Sequence, residues 1–504
     1  MVIKISERKI GAILSYLNII LQTTVNFLYI PLLLYYIGQQ EYGLYQLIGS
    51  LIAYLSIVDF GLSSMVIRFY AKSWVLGDKK GAENILAIAR RGYIVICLVV
   101  LIAGGIFYQF LPQWFGEAMS EEELHEALII YLLMLFNFAI TMLGMVYQAV
   151  INARQKFLFL RGTSCLQCIF QPLLVLVVLQ EYPYALGVAT ATTLLNVVLI
   201  IWRWLYARRR LRVRIVYHYW NRELLQGVGY FLLMQFIVSV ADLVFFKTNQ
   251  VILGIISGTA AVAVYAIAAN IQQAYMMMST SISGVFLAYV TELVTQRVES
   301  EEISALFIRI GRLQFFALGL AGSGFIIFGQ EFIALWAGEG FEDSYWIALL
   351  IMLPFTTDLI QNVGFAILQA MNRYGIRAAV QTLVGAINIV LAVPLGMKYG
   401  GIGCAAATGF CMFLGNGIGM SYCYAHYLNL QMGKFWRQIL WILLRMALLT
   451  VVVYGINYSL PKIGGVFFAV KAIVYVVAYG VVAYFCCFNE YERSLCVGWL
   501  KKRC

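Results

Sequence analysis

Charge is what this sequence has least of. Only 12% of its 504 residues are Asp, Glu, Lys or Arg, about half the roughly 25% of an average soluble chain. With 62% of residues hydrophobic, almost no chain is left over for a soluble domain. Histidine is scarce too. His125, His218 and His426 are the three present; they fall near predicted span ends and far apart, so no metal site is expected. No G-x-x-x-x-G-K-[ST] occurs, which excludes ATP hydrolysis by P-loop chemistry, and no cofactor is expected. The ten cysteines lie mostly in apolar runs or on the side expected to be cytoplasmic, where paired cysteines are rare. "CLQC" (165–168) has redox spacing but no βαβ context, and it reads as small-residue helix packing.

What is present is a series of apolar runs long enough to cross a bilayer, about 20 residues each. They fall at roughly 10–37, 44–67, 92–112, 126–151, 163–180, 185–206, 225–254, 260–290, 312–336, 345–371, 378–397, 403–424, 438–459 and 465–487. The expected fold is therefore an all-α membrane protein of about fourteen transmembrane helices. The N-terminal Met1–Lys9 is basic, and the run behind it is too long for a signal-peptide core, so it reads as a retained first helix.

Orientation follows from Lys and Arg. With a cytoplasmic N-terminus, 29 of the 35 basic residues fall on inner segments and two, Lys398 and Lys462, on outer loops. Four lie within spans: Arg68, Lys247, Arg445 and Lys471. The outer loops are acidic instead, as in "GEAMSEEELHEA" (116–127) and "GEGFEDSYW" (338–346). An even helix count returns the C-terminus to the cytoplasm. The net charge of +11 is thus a topology signal rather than a sign of nucleic acid, which is not an expected partner. The run "RRRLRVR" (208–214) also suits anionic lipid or a lipid-linked phosphate.

The chain repeats itself. "LGVATATTLLN" (186–196) and "IGCAAATGFCM" (402–412) share Gly187/Gly403, Ala189/Ala405, Ala191/Ala407 and Thr192/Thr408. "YQAVINARQK" (147–156) and "LQAMNRYGIR" (368–377) both place Gln-Ala at a helix end, followed by Asn and Arg. Tyr45 in "EYGLYQL" matches Tyr265 in "VAVYAIA". These landmarks keep their order at nearly constant spacing. They predict an N-terminal six-helix lobe at 1–206, a basic linker at 207–224, a second six-helix lobe at 225–424, and two extra helices with a basic tail at 425–504. Six is even, so the halves are parallel repeats, and two such lobes facing a cleft can rock. Small residues also let helices pack closely, which explains the composition but not the position.

Polar groups inside a span are expensive and usually face the bundle interior. Asn18, Gln22 and Asn26 recur every four residues on one face of the first helix. The second carries Asp59 and Arg68, the seventh Asp242 and Lys247, the eighth Asn270 and Gln273, the tenth Asp358. The load therefore concentrates on the first two helices of each half, where a cleft would lie. The competing reading is interhelical hydrogen-bonding glue. Asp242 and Lys247 are five residues apart, about 140° round a helix, so they do not pair; Asp59 with Lys247 is an alternative pair.

The stretch "IPLLLYYIGQQEYGLYQLIGSLIAYLSIVDFGLSSMVIRFYAK" (30–72), with Gly38, Gly43, Asp59-Phe60-Gly61-Leu62 and Arg68, resembles the opening of polysaccharide-exporter flippases. These form one family of the multidrug/oligosaccharidyl-lipid/polysaccharide superfamily. "NQVILGIISGTAAVAVYAIAANI" (249–271) resembles the second-half counterpart, although Lys247 and Asn249 stand where many members carry an acid. The resemblance implies flipping of a polyprenyl-pyrophosphate oligosaccharide by a non-enzyme in a bacterial inner membrane. Arg68 and Lys247 would hold the phosphate end, with Asn18, Gln22, Asn26, Asn270 and Gln273 lining the path. Asp59, Asp242 or Asp358 would serve ion coupling or gating. Arg445 and Lys471 would sit by a lipid-tail groove. The implied partners are the lipid-linked oligosaccharide, membrane lipids, and glycosyltransferases and a polymerase of the same pathway, with the chain itself a monomer. A multidrug antiporter of the same superfamily would want an acidic cleft rather than a mixed one. A polymerase or ligase would need a large outer catalytic loop, and the longest outer loop here is short, with a single His and no Lys or Arg.

Overall fold

The structure, a computed structural model, describes residues 2–56, 62–219, 222–296, 298–371, 373–459 and 464–494. Every regular element among the described residues is helical. The first is α1 (Val2–Leu55), which contains the first expected span and the start of the second and breaks at Gly38, φ +74°. Later in the chain, α12 (Tyr374–Cys411) breaks the same way at Gly400, φ +58°. A left-handed residue reverses a helix at no steric cost only when it has no Cβ, so each glycine turns one long apolar stretch into two.

Between them lie α2 (Leu62–Val75), α3 (Lys79–Phe115), α4 (Glu121–Ala153), α5 (Phe157–Glu181), α6 (Ala185–Leu205), α7 (Arg222–Ile256), α8 (Gly258–Thr295), α9 (Ser300–Trp336), α10 (Asp343–Leu359) and α11 (Asn362–Ala370). After α12 come a π turn at Met412–Gly419, α13 (Met420–Leu428), α14 (Met432–Ser459) and α15 (Gly464–Val482). Nine stretches among the described residues are long and apolar enough to cross a membrane, ten if the bent pair α10–α11 is one span, and Gly375–Leu428 counts once although it turns at Gly400. The chain is a multi-pass membrane protein, consistent with the fourteen spans expected.

Local chemistry explains the helix starts. Asp78 caps α3 by accepting the Gly81 N–H at 2.9 Å. Ser120 and Glu123 form a reciprocal capping box on α4, whose first turn carries Glu121, Glu122 and Glu123 against the positive end of the helix dipole.

The chain divides into two compact units, Met1–Ala266 and Ile267–Cys504. In the first, α1 packs on α5 and α7, and α4 packs on α3 and α6; Tyr42, Leu44, Leu47 and Ile48 of α1 are fully buried. In the second, α10 packs on α9 and α12, and α14 and α15 lie on α9. Leu448, Val451, Ile473 and Val474 remain exposed, as suits a lipid-facing surface.

The repeated motifs perform matching jobs. A Cβ at Gly187 would meet the carbonyl oxygen of Tyr182 at 2.7 Å, and one at Gly403 would collide with that of Leu395. In each case the missing side chain lets a helix tuck under the end of its predecessor. Arg154 donates to the Leu211 carbonyl at 2.5 Å, and Arg373 donates to the Tyr427 carbonyl at 2.5 Å. Each motif arginine thus ties down a later stretch of chain, Arg154 the residue after the Tyr206–Arg210 π turn and Arg373 the end of α13.

Candidate functional site

Within the first unit, the C-terminal half of α7 and the first turns of α8 lie along the second half of α1, and the seam between them is polar. Gln39 donates to the Ala260 carbonyl at 3.3 Å. Ser50 donates to the side chain of Gln250. Tyr54 and Thr248 share a hydrogen bond of 2.6 Å. Asn249, 1% exposed, donates to Tyr265 at 2.7 Å and so ties α7 to α8. Each bond replaces one that water would otherwise make, and its net contribution is only about 0.5–1.5 kcal/mol. Such a surface can part by exchanging partners with water, which an apolar helix interface cannot do cheaply.

At one end of the seam, carboxylates gather on the N-terminus of α6, where the repeated stretch "LGVATATTLLN" begins. Glu41 accepts the Ala185 N–H at 2.7 Å, Glu126 accepts the Leu186 N–H at 3.1 Å, and Glu123 accepts the Thr259 hydroxyl at 3.2 Å. Burial pushes the Glu41 carboxyl up to about 6, the Ala185 N–H pulls it down, and the neighbouring Glu126 and Glu123 push it up again.

The residues expected to form the site are placed as follows. Lys247 and Asp242 sit partly buried on α7, and Asp242 has an interaction partner. Arg68 is exposed on α2, its guanidinium 5.8 Å from the Phe69 ring centroid. Among the described residues neither Arg68 nor Lys247 has a carboxylate within 4 Å. Gln22 and Asn26 are exposed on the first half of α1. The Asn18 side chain and Asp59 lie outside the described residues, so the Asp59–Lys247 pair is not described. In the second unit Asn270 is partly buried and Gln273 exposed on α8. Arg445 donates to the Cys486 carbonyl. Lys471 donates to Glu331 of α9 at 2.6 Å, both side chains being about nine-tenths buried. These last two cations are not brought together.

Asp358 lies on α10 just before the 43° bend into α11. Asn416 of the π turn hydrogen-bonds to it, and Arg377 of α12 is within electrostatic reach. A brace holds the turn in place: Gln361 donates to the Gly417 carbonyl at 3.2 Å, Ser421 donates to Gln361 at 2.9 Å, and the Trp436 indole donates to Ser421 at 3.0 Å. π turns recur at functional sites. A carboxylate beside an amide in a low-dielectric bundle can hold a proton or a small cation.

Sequence reasoning missed most of the seam. Gln39, Ser50, Tyr54, Thr248 and Gln250 are single polar residues in otherwise apolar runs. They pair between α1 and α7–α8, far apart along the chain. Asn416 was hidden because nothing in the sequence marks a π turn.

The family model for "Polysaccharide biosynthesis protein" matches residues 10–293. No curated protein matches the chain by sequence. Among solved structures, the chain is similar to the lipid II flippase MurJ in an inward closed conformation, at TM-score 0.65 and 15% identity over 96% of this chain and 99% of that one. It is also similar to an inward-facing multidrug resistance MATE family transporter of the MOP superfamily, at TM-score 0.63 and 15% identity over 80% and 94%. A MOP superfamily transporter from Pyrococcus furiosus matches at TM-score 0.57 and 13% identity over 86% and 96%.

Proposed function

The chain belongs to the polysaccharide biosynthesis protein family, and on that premise we propose that it is a flippase moving a lipid-linked oligosaccharide from the cytoplasmic to the outer leaflet by alternating access. The observation that carries this reading is the polar seam between α1 and α7–α8 in a chain of this family. It is an interface built of bonds that water can replace, as a gate requires. The substrate class is a polyprenyl-diphosphate glycan, consumed by a polymerase after glycosyltransferases have built it. In this reading the chain lies in a bacterial inner membrane with both termini cytoplasmic. Its lobes are 1–206 and 225–424, and α14 and α15, with Arg445 and Lys471, wall a lipid-tail groove.

Arg68 and Lys247 would bind the diphosphate. Arginine presents a fork to phosphate oxygens and lysine a point charge. Asn18, Gln22, Asn26, Asn270 and Gln273 would add weak polar contacts to the sugars. No P-loop is present, so the driving force is the membrane potential and removal of product. Moving one negative charge outward releases about 2.3 kcal/mol per 100 mV. The return of the empty carrier would be reset by a proton or sodium ion at Asp59, Asp242 or Asp358.

A second reading, a cation-coupled multidrug antiporter, is favoured by the Asp358–Asn416 pair and by the likeness to MATE transporters. Reconstituted protein separates the two. A fluorescent polyprenyl-diphosphate oligosaccharide should cross proteoliposomes faster under an imposed inside-negative potential, and the Arg68→Ala, Lys247→Ala double variant should lose that transport while remaining folded. Transport of a lipophilic cation driven by a pH or sodium gradient, with no glycan movement, would replace the first reading by the second.

A further inference from the structure

A second cationic site lies away from the seam. After α6 the chain makes a π turn at Tyr206–Arg210 and then runs back across the start of α3. It is pinned there: the His218 and Tyr219 N–H groups donate to the Asn84 side chain at 2.9 and 3.1 Å, and Asn84 donates to the Tyr219 carbonyl at 2.7 Å. Asn84 is 1% exposed. Arg91 lies over the Tyr217 ring at 3.9 Å. This strap closes one side of a pocket of about 490 Å³ between the end of α2, the start of α3 and the end of α4.

The pocket is lined by Lys79, Arg154, Arg212 and Arg214, with Trp74 and Tyr70 behind them. Its one acidic residue, Glu83, is engaged by His218 at 3.0 Å. Arg154 is already held: its Nε donates to the Tyr70 hydroxyl at 2.9 Å, Nη1 donates to the Leu211 carbonyl, and its guanidinium lies 3.8 Å from the Trp74 ring centroid. Its orientation is therefore fixed before any ligand arrives. Arg212 adopts φ +47°, a left-handed backbone that a non-glycine residue rarely takes, and such outliers mark functional positions.

We infer that this pocket binds a phosphate-bearing anion, held by Lys79, Arg212 and Arg214 above a floor of Arg154. Three guanidinium forks and one ammonium around a cavity match tetrahedral oxygens. The volume exceeds a bare phosphate and admits a phosphodiester with its substituent. Exposed Val75 and Leu76 follow Trp74 along the chain and exposed Val216 lies two residues beyond Arg214, the kind of apolar residues found at a membrane interface, so the phosphate can come from a lipid headgroup or from solution. The site does not depend on what the chain transports; placing it on the cytoplasmic face does rest on the topology proposed above.

The test uses the full chain, purified in nanodiscs, with the thermal unfolding midpoint read under two titrations. One adds sodium phosphate or pyrophosphate at constant ionic strength in phosphatidylcholine. The other raises phosphatidylglycerol in the disc. Saturable stabilisation is expected in at least one, and the arm that responds identifies the source. Lys79→Gln, or the pair Arg212→Gln, Arg214→Gln, should weaken apparent affinity about tenfold per cation removed. All three side chains are exposed, so the fold tolerates these changes, and Lys434→Gln on α14 should change nothing. No saturable stabilisation in either arm, or stabilisation undiminished in the rim variants, would overturn the site.

Discussion

Tyr54 and Thr248 meet at 2.6 Å across the seam between α1 and α7, and one turn away Ser50 donates to Gln250. The two contacts join distant parts of the chain through groups that water can satisfy equally well. If this seam is the gate of the proposed flippase, it must not be locked. In a cysteine-free background, a Ser50→Cys, Gln250→Cys variant joined by a short, cleavable thiol crosslinker should stop glycan flipping in proteoliposomes, and cleaving the linker should restore it. Full transport by the crosslinked protein would mean that this seam stays shut during the cycle.

Arg312 of α9 and Glu492 form a buried bidentate pair, with both N–O distances at 2.7 Å and side chains 9% and 1% exposed. Nη2 also donates to the Cys487 carbonyl at 3.0 Å, and Nη1 donates to Gln438 at 3.2 Å. Removing one partner leaves a buried charge uncompensated. Glu492→Ala should therefore cost about 3–5 kcal/mol, whereas replacing both with apolar residues of similar volume should cost far less. Denaturant or thermal unfolding in detergent measures the difference.

Stability should depend on pH through Glu41. Its carboxyl is raised to about 6, first by burial and then by Glu126 and Glu123 on α4, against the opposing Ala185 N–H of α6. A carboxyl raised in the folded state favours the protonated fold. That contribution is complete below the ordinary value near 4.5 and is lost as pH rises through about 6. The unfolding midpoint should rise on going from about pH 7.5 to about pH 5, and Glu41→Gln should flatten the dependence. A Glu41→Gln variant with an unchanged slope would assign the effect to other groups.

Topology can be checked directly. In the same cysteine-free background, single cysteines at Gly116 and Glu342 should react with a membrane-impermeant maleimide from outside intact cells, and one at Arg210 only after lysis. Reaction at Arg210 from outside would invert the orientation and place the phosphate pocket on the outer face.

The spans were legible because apolar runs of bilayer length have few alternative fates. The corners at Gly38 and Gly400 fell in the gaps between predicted spans because only glycine takes such a φ freely. Gly187 and Gly403 and the arginines of the two Gln-Ala motifs stood out in the sequence, and each meets a local backbone constraint. The ion pairs did not. Arg312 stands at the very start of an expected span, and nothing in the sequence paired it with the carboxylate of Glu492, against which it is buried. Nor did any pattern pair Lys471 with Glu331, several helices earlier. Periodicity reports which face a side chain occupies, not which distant charge shares it. Asp358 was visible as a charge in a span, but its neighbour Asn416 depends on a π turn that no residue pattern announces.

The position of Glu492 has a consequence for how the protein is made. Arg312 enters the membrane early in the synthesis of the second unit, but its counter-charge leaves the ribosome only 180 residues later. Throughout that interval the guanidinium must stay in water, contact lipid headgroups or borrow a temporary partner. The bundle around α9 can close only when the last helix has been inserted. A nascent chain cut short before Glu492 would thus expose an unpaired cation at the heart of the unit, which a membrane quality-control protease could recognise.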